Sequence, residues 1–472
     1  VANGFAHFVL YLWPLVVLVV FSQRKGKSSP ARTAAWMLFL GLMFLPCGAD
    51  FDAPLIPPIG KNRMGVLAVW LALQIFHRKD LLKRAPGHNM PRIIFGLMLA
   101  ALWMSIRTNG DTLYYGKTEL PGHTVRDMLA LTISFWLDAY LPFAVAQRVF
   151  RSERDLRDLL DVLVRCMLVY TPFILYELRM APVLHAQLYG FAPFGFTQAI
   201  RAGGYRPAVF MVHGLVLAVF VFGGASAALA LRATKWRLGK LSPGLVVSGL
   251  ILLLVLCKTL GAMLYYGATF LVLRRPVKPT RVFLGLVLIG AGVLYYPWAR
   301  TTGQFPTYVL TEWATKASAD RAASLQYRFD QEDVLIAKGQ ERALWGWGAY
   351  GRNRVFDEEG TDVSVTDGTW VVWFGAMGYA GLGLNLLLTV LPLFRAGLRA
   401  RKLRGDALPM LGGLGMIAAG LAVDILPNSR QDYFAMILTG ALWTLSETLS
   451  RRPPPRRPRA AQAPSAPVES PA

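Results

Sequence analysis

Thirteen apolar runs, separated by connections whose charge alternates, constrain this chain more than any other feature. They lie at 5–21, 33–48, 63–76, 93–106, 127–147, 157–177, 207–231, 243–257, 259–273, 281–298, 369–394, 408–426 and 432–447. A bilayer core about 30 Å thick takes about 20 apolar residues per helix. The runs therefore predict an all-α polytopic membrane protein with about 12–13 transmembrane helices, some short runs being re-entrant or merged. Charged residues, at 17%, are too few for a soluble chain of 472 residues.

Every second connection is basic. Arg24, Lys25, Lys27 and Arg32 mark the first, and Arg78, Lys79, Lys83 and Arg84 the next. Arg148 to Arg157, Arg232 to Lys240, Arg274 to Arg281 and Arg395 to Arg404 continue the series, and the tail carries RRPPPRRPR. Short loops rich in Lys and Arg mark the cytoplasmic side. The connections 49–62, 107–126, 178–206, the turn near Lys258, 299–368 and 427–431 then face outward. The net charge of +22 follows from this topology, so a nucleic-acid partner is not expected. The opening run has no basic stretch before it and QRKGK after it, as expected of a retained first span. The chain divides into N-terminal helices (1–298), a large polar loop with short helices (299–368), C-terminal helices (369–450) and a Pro-, Ala- and Arg-rich tail (451–472). The tail is expected to be disordered.

Cys47, Cys166 and Cys257 lie in or beside apolar runs with no paired spacing, and the six histidines are scattered. No metal site and no cofactor are expected.

Four outward-facing stretches hold candidate site residues. In AIRAGGYRPAVFMVHG, Arg201 and Arg206 bracket a Gly-Gly turn before a span, with Pro207 suited to the first helical turn. His213 follows Arg206 by seven residues, two helical turns, so the two are expected on one face. Guanidiniums at a helix start suit phosphate or pyrophosphate. Lys258 stands at the sharp turn in CKTLGA. Arg328 precedes the acidic cluster Asp330, Glu332 and Asp333, which reads mostly as the solvated face of a surface helix. In GWGAYGR, glycines let the backbone approach a ligand, while Trp347 and Tyr350 offer faces for sugars. Asp367, in VTDGTW, falls at or just before a helix start, where Asp is also a favoured cap. Within the membrane, Asp138 and Arg165 are expected to pair, with a proton path as the alternative. Asp424 is expected to complement the basic site or to pair with Arg430.

Over roughly residues 195–385 the sequence resembles the O-antigen ligase/polymerase superfamily of bacterial envelope glycosyltransferases. RAGGYRPAVFMVHGLVLA is similar to that family's Arg-x-x-Gly segment, and LCKTLGAML to its segment ending in a basic residue and Gly-Ala. The stretch from Arg328 through WGWG to DGTWVVWFGAMGYAGLG resembles the passage from the large periplasmic loop into the next helix. In the ligases that motif begins His-Asn, eleven residues before the first glycine of G-x-x-G. Here the same count from Gly378 lands on Asp367, with Gly368 in place of Asn, which is more like the polymerase and exopolysaccharide branches.

The resemblance implies a GT-C-like fold in the bacterial inner membrane. It also implies metal-independent transfer of a glycan from undecaprenyl pyrophosphate to an acceptor glycan hydroxyl on the periplasmic face. Arg201, Arg206, Arg328 and Lys258 would hold the pyrophosphate, Asp367 and His213 would act on the acceptor hydroxyl, and Trp347 and Tyr350 would line the sugar path. A polymerase is favoured over ligation to lipid A–core, and other polysaccharide-export proteins are potential partners. A transporter would depend instead on Asp138 and Arg165, and a scaffold would tolerate single outer-face substitutions.

Overall fold

The computed structural model describes residues 1–53, 56–82, 87, 89–201, 203–429 and 433–450. Arg430, Lys83, Arg84 and the tail from Arg451 lie outside the described residues. The helices are, in order, α1 (Gly4–Arg24), α2 (Pro30–Phe44), α3 (Lys61–Leu82), α4 (Asn89–Arg107), α5 (Val125–Phe135) and α6 (Leu141–Val149). They continue with α7 (Glu153–Met180), α8 (Leu184–Tyr189), α9 (Gly214–Arg232), α10 (Pro243–Leu256), α11 (Leu260–Leu273) and α12 (Pro279–Thr301). The last are α13 (Thr307–Ala317), α14 (Ala319–Gln340), α15 (Thr369–Ala400), α16 (Ala407–Asp424) and α17 (Tyr433–Ser450). A π-helical turn, Trp136–Tyr140, joins α5 to α6. Strand structure among the described residues is confined to small hairpins in the connections.

Every apolar run of the sequence contains a helix. Among the described residues, eight helical segments are long and apolar enough to cross a bilayer, and α2, α10 and α11 are shorter apolar helices. The protein is therefore an all-α, multi-pass membrane protein. At its centre stand α9 and α16, which are buried nearly all round, as expected of helices apolar on every face. Small residues let their neighbours close in. Gly224 faces Met167, Gly413 faces Ala230, and Gly420 faces the Phe222 ring. Outer helices such as α1, α10 and α12 turn Leu15, Leu252 and Leu288 outward, the surface that hydrocarbon replaces for water.

Ion pairs tie the basic connections together at one end. Asp161 accepts hydrogen bonds from Arg32, Arg165 and the Trp236 indole, and Asp158 also pairs with Arg32. Arg395 and Arg399 share Glu447. The expected Asp138–Arg165 pair does not form. Arg165 bonds Asp161 one turn earlier on α7, while Asp138 is held through both oxygens by Arg63 of α3 at 2.8 and 2.6 Å. Helix packing, which sequence spacing does not reveal, brings α3 rather than α7 alongside the π-helical turn.

At the other end, the long polar segment docks α14 through a buried ion pair. Glu332 accepts from the Tyr296 hydroxyl at 2.7 Å, Arg300 Nε at 2.9 Å and the Trp370 indole at 3.3 Å. Glu332 is the exception in an acidic cluster that otherwise faces solvent. Asp330 and Asp333 are more exposed, but Glu332 is buried and joins α12, α14 and α15.

α15 is broken at Gly378 (φ 62°, ψ −164°). The backbone groups released by the break find partners in 343–348. Trp347 and Gly348 donate to the carbonyls of Gly375 and Ala376, while Tyr379 and Ala380 donate to those of Ala343 and Leu344. Such an exchange meets the demand that buried backbone groups be paired.

Candidate functional site

The connection 178–213 does not enter α9 as a helix from Pro207. It forms a tight hairpin pairing Ile200 with Tyr205 and Arg201 with Gly204, then runs to Gly214 as irregular chain that is buried through Met211. His213, expected to lie within a helix, instead caps it. Its Nδ1 accepts the Leu215 N–H at 3.0 Å, and its Nε2 faces Gln198 Oε1 at 3.1 Å. Helical spacing therefore does not relate Arg206 to His213. The two still act on each other, because burial first, then Arg206 and Arg201, push the imidazole pKa down to about 4. With Nδ1 accepting and Nε2 donating, the ring is neutral.

Arg206 is 9% exposed, and its Nε is buried without a hydrogen-bond partner among the described residues. Its backbone N–H bonds Ala199 O at 2.7 Å. Its stem lies so close to Gly214 that a Cβ there would meet Cδ at 2.5 Å. Burial, then the charges of Arg201 and, more weakly, Arg328, lower its pKa, which records cations gathered in a confined space.

Lys258 joins the group from the α10–α11 turn. Its backbone is left-handed (φ 52°), and its Nζ donates to Arg201 O at 3.1 Å. A Cβ at Gly204 would meet that Nζ at 2.4 Å, so glycine at this position admits the lysine. α10 and α11 have 14 residues each, or about 21 Å of rise, against a core of about 30 Å. Their turn therefore falls short of a full crossing.

Arg328 arrives on α14. It donates to Pro427 O at 3.0 Å, and its Nε stands 3.6 Å from Asp367 Oδ2. Gly368, not Asp367, occupies the cap position of α15, with no side-chain cap bond. Asp367 is thus left facing the arginine and solvent. Asp424, beneath this rim, accepts from the Tyr265 hydroxyl at 3.2 Å and Asn428 Nδ2 at 2.8 Å.

Six of the expected residues, Arg201, Arg206, His213, Lys258, Arg328 and Asp367, thereby belong to one linked neighbourhood. Trp347 does not present the open face expected of it. It is 6% exposed, its indole donates to Lys338 O, and Lys338 and Arg342 stack over its ring. Gly346 serves the α15 break, since a Cβ there would meet Ala376 C at 2.5 Å, whereas Gly348 makes room for the His123 ring. Tyr350 is 59% exposed beside His123. Sequence reasoning missed Glu177, whose carboxylate accepts the N–H groups of Leu184, Ala208 and Val209. An acid at the very end of an apolar run was the available signal.

No protein-family model and no curated protein matches the chain. Among the described residues, no group of three or more His, Cys, Asp or Glu side chains is placed to hold a metal ion.

Proposed function

We propose that the protein transfers a glycan from undecaprenyl pyrophosphate to an acceptor sugar hydroxyl at the periplasmic face of the bacterial inner membrane. In this role it acts as a polysaccharide polymerase in envelope or exopolysaccharide assembly. One observation carries the reading. Arg206, a buried guanidinium with an unpaired Nε, has Arg201 and Arg328 as cationic neighbours, and Asp367 stands 3.6 Å from Arg328. Repelling cations held together are a pre-formed anion site, and fixed guanidiniums match diphosphate oxygens in pairs.

In the proposed reaction the acceptor oxygen attacks the anomeric carbon as the bond from that carbon to the pyrophosphate oxygen breaks. The electron pair leaves on the pyrophosphate, whose new charge meets Arg201, Arg206 and Arg328, with Lys258 bracing the hairpin. The acceptor proton passes to the Asp367 carboxylate, within reach of Arg328. His213, with Nδ1 already bonded to backbone, shapes the site rather than taking the proton. Tyr350 is the aromatic side chain left open to the acceptor sugar.

Lipid-linked glycans extracted from cells lacking the protein test this. Single repeat units accumulating on the lipid indicate a polymerase, and full-length polymer stranded there indicates a ligase using the same site. An unchanged lipid-linked pool would overturn the transferase reading.

A further inference from the structure

The segment Arg206–Met211 is irregular backbone buried among helices, and its polar groups need partners. Glu177, fully buried near the end of α7, supplies acceptors for two successive N–H groups of the segment. Its Oε2 takes the N–H of Ala208 at 2.9 Å and of Val209 at 2.7 Å, and its Oε1 takes that of Leu184 at 3.1 Å. The Tyr170 hydroxyl takes the next N–H, from Phe210, at 3.1 Å, while buried Lys61 donates to Phe210 O at 2.7 Å. Val209 is held at φ 54°, a conformation a β-branched residue adopts only where its surroundings impose it. Arg206 is two residues before this clamp, with its stem against Gly214.

We infer that Glu177 is a positioning residue, whose carboxylate clamps the Ala208–Val209 backbone and so sets the buried Arg206 guanidinium in the anion site. A carboxylate is an acceptor at both oxygens. Glutamine fills the same volume but turns an NH2 group against at least one of the three N–H donors. Glu177 makes none of the ligand contacts itself and acts through Arg206. The effect on ligand binding rests on the transferase reading, whereas the clamp does not.

Two readouts separate these. Hydrogen exchange at residues 206–210, followed by mass spectrometry of the full-length protein in lipid nanodiscs, reads the clamp directly. Glu177→Gln is expected to accelerate exchange there by about tenfold or more, the loss of one charge-assisted bond, with the remaining helices unchanged. Tyr170→Phe, which removes the Phe210 acceptor together with the donor to Met43 O, is expected to accelerate Phe210 within this segment, and it carries the test if Glu177→Gln does not fold. Exchange like that of wild type in whichever variant folds would overturn the inference.

Binding of undecaprenyl pyrophosphate is the second readout. Glu177→Gln is expected to weaken it by about tenfold, and the double variant with Arg206→Ala to bind no more weakly than Arg206→Ala alone. Losses that multiply would show that Glu177 does not act through Arg206. If exchange accelerates but the wild-type protein binds no undecaprenyl pyrophosphate, the clamp stands and the transferase reading falls.

Discussion

His213 shows how much a single residue's role depends on what its neighbours demand. Its Nδ1 caps α9 and two arginines stand nearby, so protonation is opposed by burial and by charge. The folded-state pKa, about 4, lies below the ordinary value of 6.5. The unfolded chain therefore takes up a proton first as pH falls. The histidine's contribution to stability is complete above about pH 6.5 and declines toward pH 4, below which both states are protonated and nothing more is lost. Melting temperature followed across that window should fall less steeply in His213→Asn, which keeps a capping side chain; equal slopes would contradict this. Asp138, by contrast, is half-exposed and paired with Arg63. Asp138→Asn is expected to leave glycan transfer unchanged, whereas a proton path through Asp138 requires its loss to abolish function. Arg201, Arg206, Arg328 and Asp367 were legible as residues because charged groups beside apolar runs stand out. Contacts made only through helix packing were not, such as Arg63 with Asp138 and Glu177 with the Val209 backbone.

Elements take their form here from what their backbones need. α15 is broken, and the chain at 343–348 repairs the break by trading hydrogen bonds with it. Gly346 and Gly378 are both left-handed, and a Cβ on either would lie 2.5 Å or less from the opposing backbone. Gly346→Ala and Gly378→Ala are each expected to destabilise by about 1–3 kcal/mol from backbone strain alone. Gly383→Ala, further along α15 with nothing within 4 Å, is the silent control. Detergent melting curves measure all three, and a Gly383→Ala loss as large as the others would remove the argument. Glu332→Ala removes one of the two carboxylates paired with buried Arg300, leaving Asp333, and is expected to cost about 1–3 kcal/mol, read in the same assay. The aromatic and glycine pattern of GWGAYG was visible in the sequence, but its use was not. Glycines that admit a ligand and glycines that admit another backbone look alike until the opposing chain is known, and here it is α15.

For the whole molecule, hydropathy and charge alternation were enough to foresee a polytopic helical bundle, because bilayer thickness and loop charge act on any chain in the same way. They did not foresee depth. Lys258, at the short α10–α11 turn, bonds the hairpin before α9; Arg206, just after that hairpin, has Arg328 of α14 as a cationic neighbour; and Arg328 stands 3.6 Å from Asp367 at the start of α15. That convergence is the basis of the proposed chemistry, and it gives the most direct test. Purified protein in nanodiscs, supplied with a glycan on undecaprenyl pyrophosphate and with EDTA present, should release undecaprenyl pyrophosphate as longer glycan appears. Arg206→Ala and Asp367→Ala should each slow that release by about a hundredfold or more while the protein stays folded. Wild-type release that either variant matches would contradict the account.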